Sequence, residues 1–412
     1  MMESPASASL QTDRLYTRQF FRVFGAVILF MTGVALQFHF GQYLAYLGHG
    51  VDTLGYVLSI SIVGTLSIRL HIGHWIDRFG CRPSWLVGTC LFAAAVGSIQ
   101  FTGRLWLIVV LRTLSAVGIA TVMTTVAVFA ANIAPPHRRA ESIGTIGLAG
   151  FLGMIIGPAL GDWIFTGPGT SIVPYRVFFS VSAACSLLAG GTMRVIAFPR
   201  SRRAAEGRQP VERPPRPHAI TTARVIIRHW PGVILLIGVV FMMAFCFPML
   251  FLERLAEFRG FRNIKVFFFV YGPTAIIFRI IFRRLPERLG RRRTLLLGLL
   301  SMAIGLLCMR GIHAEAQLVL PALLMGTGHC FIFPSMVDLA AGRLPAEHRG
   351  TGTSLILGAG DLGLLIGFAT LGKLIERFDF DAALLCLAVT VLATAVLFAV
   401  TAYPRVPSRA EA

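Results

Sequence analysis

Apolar stretches of about twenty residues alternate with short polar breaks along almost the whole chain, the length an α-helix needs to cross a hydrocarbon core. Six spans are read at 20–47, 54–76, 84–102, 105–134, 140–166 and 175–198, and six more at 231–257, 264–284, 294–311, 316–342, 350–376 and 381–402. Between the sets, Arg200, Arg202, Arg203, Arg208, Arg213 and Arg216 stand among Pro210, Pro214, Pro215 and Pro217. Such a stretch cannot bury apolar surface and reads as a linker. The expected organisation is a polar tail at 1–19, a six-helix half at 20–198, a linker at 199–229, a second half at 230–403 and a tail at 404–412.

The break after the second span reads Gly73-His74-Trp75-Ile76-Asp77-Arg78-Phe79-Gly80-Cys81-Arg82. It returns 210 residues later, carrying Asp77 to Glu287, Arg78 to Arg288, Gly80 to Gly290 and Arg82 to Arg292. The same offset takes Arg69 to Arg279, Arg139 to Arg349, Gly150 to Gly360, Gly153 to Gly363 and Gly157 to Gly367. The fold class expected is therefore an all-α membrane protein, twelve transmembrane helices in two pseudo-symmetric halves. Channels and membrane enzymes also contain repeats, so duplication alone names no function.

Composition agrees: 55% hydrophobic residues and 14% charged, with mean hydropathy +0.73. The net charge of +19 invites a nucleic-acid reading, but the basic residues gather in alternate loops. With a cytoplasmic N-terminus, 26 of the 38 Lys and Arg fall inside, nine outside, and Arg69, Arg112 and Arg279 within spans. That bias places both termini in the cytoplasm, in a cell (inner) membrane, with no nucleic-acid partner. Arg254, Arg259, Arg262 and Lys265 are the exceptions on the outer side. No cleavable signal peptide is read in the polar first twenty residues. The seven cysteines form no CxxC pair and read as small core residues.

The break after the second span resembles the loop signature of the major facilitator superfamily, matched at Gly73, Asp77, Arg78, Gly80 and Arg82. A second stretch, Gly144 followed by Gly153, Gly157, Pro158, Ala159, Leu160 and Gly161, resembles the fifth-helix motif that the family associates with antiporters, with Asp162 where its last glycine would be. Arg112 aligns with the arginine of the family's third motif, although Ala116 replaces a glycine. Gly328 to Pro334 and Asp361-Leu362-Gly363 resemble the tenth and eleventh helices of bacterial exporter-type permeases. The resemblance implies a secondary carrier working by alternating access, exporting a small organic molecule in exchange for protons, without a cofactor and as a single chain. Proton-linked uptake of a small anion or sugar stands as the alternative, and Arg112 would suit it. A non-transporting sensor or a membrane enzyme is the other class; no paired-carboxylate constellation or phosphate loop supports it.

Ionisable residues inside spans are costly and are functional candidates. The substrate or proton pathway is expected to use His39, Gln42, Arg112, His329 and Asp361, since carboxylates and imidazoles can carry protons. Asp361, flanked by Gly358, Gly360 and Gly363, is the first choice for the proton; a packing hydrogen bond is its structural alternative. Polar Gln37, His39 and Gln42 suit a pore-lining face or a satisfied core histidine. The resemblance assigns a cytoplasmic gate to Asp77, Arg78, Gly80, Arg82, Glu287, Arg288, Gly290 and Arg349, with Asp77 facing the start of the eleventh helix, and Asp338 joins them by position. The glycines permit close helix approach, and the fifth helix is expected to seal against its partner from the other half, with simple tight packing as the structural alternative. His71, His74 and Asp77 share a helix face, a weak metal signal outweighed by the loop signature, so no metal site is expected. Most of the 32 phenylalanines should face lipid or neighbouring helices, with Phe38 and Phe331 as examples that could line a pocket.

Overall fold

The computed structural model describes residues 16–133, 139–165, 171–192, 227–282, 285–345 and 349–401, apart from some side chains within helices. The linker reading at 199–229 and both tail readings fall almost wholly outside the described residues. Twelve long helices carry the fold. The first half has α1 (Arg18–Tyr46), α2 (Val51–Phe79), α3 (Cys81–Ile99), α4 (Leu105–Ile133), α5 (Arg139–Ile164) and α6 (Val173–Thr192). The second has α7 (Val233–Arg259), α8 (Lys265–Ile281), α9 (Arg291–Cys308), α10 (Val319–Arg343), α11 (Arg349–Arg377) and α12 (Phe380–Val400). Among the described residues, nine of these are long and apolar enough to cross a membrane. Outward-facing Phe101, Trp106, Trp163 and Val396 are exposed, as lipid-facing side chains should be.

Local chemistry sets the ends. Thr17 Oγ1 accepts from Phe20 N at 3.2 Å to start α1, and Asp379 accepts from Ala382 N at 2.5 Å to start α12. Gly80 (φ +87°) ends α2 and begins α3 with no residue to spare, and Gly290 (φ +83°) caps the start of α9, after the short helical turn Leu285–Arg288. A side chain with a Cβ is strained at such φ values, which is why glycine holds both corners. Two spanning helices are irregular. α1 tightens into a 3₁₀ turn at Gln37–His39, and α7 widens into a π-helical turn at Phe247–Phe251, with Pro248 inside.

The repeat visible in the sequence is repeated in the packing. α5 lies on α1, and α11 lies on α7. A Cβ on Gly153 would strike Met31, and one on Gly157 would sit 2.6 Å from Leu36 N. At the matching positions, a Cβ on Gly363 would strike Val239 and one on Gly367 would sit 2.9 Å from Cys246 Sγ. Gly88 and Gly118 cross between α3 and α4, as Gly298 and Gly328 do between α9 and α10, again 210 residues on. Small residues let these backbones approach where hydrophobic burial gives no drive.

Gly153, Gly157 and Gly161 of α5 pack on α1 of their own half. α5 does meet the other half, but by its opposite face: Phe151 and Ile155 lie against Tyr271 and Gly272 of α8. The halves also meet along α2 and α11, where Ser59 Oγ donates to Leu365 O at 2.9 Å and Gly372 approaches Gly55. These contacts lie toward the end of the bundle marked by Gly260, opposite the corners at Gly80 and Gly290.

Candidate functional site

The irregular turn in α1 is where buried polarity collects. Its hydrogen-bonding break rotates three polar side chains, Gln37, His39 and Gln42, toward three different helices. Gln37 Oε1 accepts from Arg112 of α4 at 3.1 Å, and the Arg112 guanidinium lies 4.5 Å over the Phe40 ring. His39 Nε2 is 3.2 Å from Pro158 O and 3.4 Å from Asp162 Oδ1, both on α5. Gln42 is the side chain placed to hydrogen-bond Glu253 of α7, whose two carboxylate oxygens lack partners of full geometry among the described residues. Arg112, Asp162, Glu253 and His39 are all buried.

Pro158 and Gly161 shape the α5 surface at these contacts. Proline removes the i→i−4 hydrogen bond and bends its helix, while Gly161 keeps the adjoining surface bare. A Cβ on Gly161 would collide with the His39 ring. The fifth-helix motif is thus cut to fit an imidazole. Asp162, one residue beyond, also reaches the second half: its Oδ2 accepts from Lys265 N at 2.8 Å, at the first turn of α8. Helix N-termini present free N–H groups and partial positive charge, so a carboxylate fits there. The repeat maps Asp162 to Gly372 and Lys265 to Gly55. One inter-half contact is a carboxylate on a helix end; its counterpart is two glycines in contact.

His329 of α10 occupies a different place. Its ring is 5.3 Å from Phe151, 5.1 Å from Phe241 and 5.3 Å from Phe245, and Tyr271 Oη is 2.6 Å from its Nδ1. The direction of that hydrogen bond follows the imidazole tautomer, since a tyrosine hydroxyl can donate or accept. Phe151 comes from the first half and the other rings from the second, so this aromatic cluster lies where the halves meet. Phe38 stacks on Phe268 across the same divide at 5.4 Å, whereas Phe331 contacts Phe282 inside the second half. Asp361 is buried on α11 at the position the repeat pairs with Phe151.

The sequence-predicted gate is only partly described. The side chains of Asp77, Glu287 and Arg349 lie outside the described residues, as do those of Gly73, His74, Arg69 and Gly144. Arg78 lies 5.3 Å from the centre of the Phe79 ring, and Arg292 donates to Phe398 O at 3.4 Å. Arg82, Arg288, Gly80 and Gly290 all sit at or beside the two glycine corners. Asp338 pairs with Arg291 at 2.5 Å, a contact between α9 and α10 of one half rather than across the halves. At the Gly260 end, two of the four basic residues that strained the charge bias are matched by acids. Arg254 pairs with Glu257, and Arg259 with Asp381 at 2.6 Å.

Two residues of this site escape the sequence reading, Asp162 and Glu253. Both stand inside spans read from hydropathy, which was signal enough. Asp162 is passed over as a departure from a glycine motif, and Glu253, within the span read at 231–257, is not singled out.

Twelve helices in two matched halves, with buried ionisable groups between helices, define a duplicated polytopic membrane protein. Residues 22–285 and 263–412 match the model of the Major Facilitator Superfamily, and the chain belongs to that superfamily. Multidrug resistance protein 2 of Bacillus subtilis (strain 168) is 27% identical over 141 residues, 34% of this chain and 34% of that protein. The MFS antiporter QDR2 of Candida albicans is 26% identical over 121 residues, 27% of this chain and 23% of that one. The chain thus matches about a third or less of the length of these relatives. Among solved structures, the nucleoside transporter NupG superposes with a TM-score of 0.72 at 11% identity, covering 93% of this chain and 98% of its own. The D-xylose-proton symporter gives 0.71 at 15%, covering 92% and 96%. At these identities the likeness is one of fold.

Proposed function

We infer that the chain is a secondary carrier that exports a small organic molecule in exchange for protons. The supporting observation is the pair of matched halves in contact toward one end through α2–α11 and α5–α8, with buried ionisable groups behind that contact. Two bodies joined this way can rock about a site between them, opening it to each side in turn. The names of the relatives, a multidrug resistance protein and an antiporter, favour export and exchange. The ring of Phe151, Phe241, Phe245, Tyr271 and His329 offers flat apolar faces, which suits an aromatic or amphipathic substrate.

In this reading the Gly80 and Gly290 corners face the cytoplasm, as the placement of basic residues favours, and the Gly260 end faces outward. Asp77, Arg78, Gly80, Arg82, Glu287, Arg288, Gly290, Asp338 and Arg349 serve the inner gate. Comparing small-molecule contents of cells with and without the carrier tests the direction. Export predicts that its substrate accumulates inside cells lacking it; depletion there, with accumulation only when the carrier is present, would reverse the direction to uptake.

A further inference from the structure

Arg112 is a buried cation of α4, 8% exposed, and among the described residues no carboxylate pairs with it. The nearby acids are engaged elsewhere. Asp162 faces His39 and the Ile264 and Lys265 N–H groups at the start of α8, and Glu253 lies beside Gln42 and Arg254. Arg112 Nη1 donates to Gln37 Oε1 at 3.1 Å, and the Phe40 ring, 4.5 Å away, offsets part of the charge. Arg112 Nε has no partner among the described residues. Nε and Nη2 form the edge of a guanidinium that grips a carboxylate through two parallel hydrogen bonds, and the bond to Gln37 does not use that edge. Gln37, 3% exposed, adds a second donor. Arginine can only donate, so it holds the Gln37 amide oxygen toward itself and leaves Gln37 Nε2, which also lacks a partner, to donate elsewhere.

A buried donor with no acceptor is costly, and a buried charge more so. A guanidinium keeps its charge throughout the physiological range, so it cannot shed that cost by losing a proton. Two unmet donors stand beside one uncompensated positive charge, and an anion satisfies all three. The surroundings say what kind. The 3₁₀ turn carrying Gln37 lies against the π-helical turn of α7, and beside it Phe38 stacks on Phe268 of α8. The donors thus stand near the meeting of the halves, in apolar and aromatic company. We propose that Arg112 and Gln37 form an anion subsite, and that the molecule this carrier moves bears a carboxylate on an apolar or aromatic body. Taking the bound molecule as cargo rests on the exchange reading; the subsite itself does not.

Hydrocinnamate and naphthylacetate, each against the alcohol and the amine of the same skeleton, are the probes, titrated calorimetrically into the full-length protein. The carboxylates should bind about tenfold or more tightly than their neutral and cationic counterparts. Arg112→Lys keeps the charge but loses the fork, and should bind the carboxylates more weakly. Gln37→Glu sets a carboxylate of the protein itself against Arg112. It should melt no lower than the parent yet bind the added carboxylates about tenfold or more weakly, whereas a purely structural role for the pair predicts the first result without the second. If Gln37→Glu is not recovered as a monodisperse protein, Arg112→Lys decides, and an unweakened carboxylate affinity there overturns the proposal. So would equal binding of acid, alcohol and amine, a preference for the amine, or unchanged carboxylate binding in Gln37→Glu. Chloride or phosphate binding as tightly as the carboxylates would overturn the substrate class. If the carboxylates bind as stated but vesicles with an acidic interior do not accumulate them beyond protein-free vesicles, the exchange reading fails and the subsite stands.

Discussion

Asp162 stands one residue past Gly161, and the two divide the work at one corner of the molecule. Glycine admits the His39 ring, and the carboxylate joins that ring to the N-terminus of α8. Packing this close leaves little room for change. Gly157→Leu would push a side chain into the α1 backbone, costing about 1–3 kcal/mol; the purified protein should melt lower and transport should be lost while membrane insertion persists. Unaltered flux would show that the α1–α5 contact does not matter for turnover. Arg112→Ala strands the buried Gln37 carbonyl and should cost about 1–3 kcal/mol in thermal unfolding. Asp338→Asn breaks a pair whose side chains are 45% and 56% exposed, so less than about 1 kcal/mol is expected there. A large loss in that variant would mean the pair does more than brace α9 against α10.

At the scale of helices, periodic hydropathy was enough to find all twelve, because a membrane allows few alternatives to long apolar helices. The 210-residue offset went further: it found Gly153, Gly157, Gly363 and Gly367 in matching positions, and each meets the backbone or side chain of the matching neighbour. Which neighbour was not legible. A glycine advertises close approach without saying to what: Gly153 and Gly157 face α1, while the opposite face of α5 meets the other half. The 3₁₀ turn at Gln37–His39 was equally hidden, since polar residues in an apolar span do not reveal whether the backbone tightens beneath them. The same close approach gives a test at this scale. Gly55→Leu places bulk against the Phe368 carbonyl of α11 and should wedge the Gly260 end apart. Spin labels at exposed Arg104 and Arg310, in opposite halves at that end, should then sit farther apart; an unchanged separation would show that α2 and α11 do not set closure.

Across the whole molecule, the structure joins two properties that composition alone kept apart. Its halves are nearly interchangeable in packing, yet their inter-half contacts differ: two glycines on one side, a carboxylate on a helix end on the other. In the proposed function the carrier exchanges a substrate for protons. Vesicles containing the purified carrier, with membrane potential clamped and a permanently charged aromatic dye outside, test it most directly. Exchange predicts that dye accumulates when the vesicle interior is more acidic than the medium, beyond what protein-free vesicles show. Accumulation when the interior is more alkaline, or no carrier-dependent movement under either gradient, would contradict it.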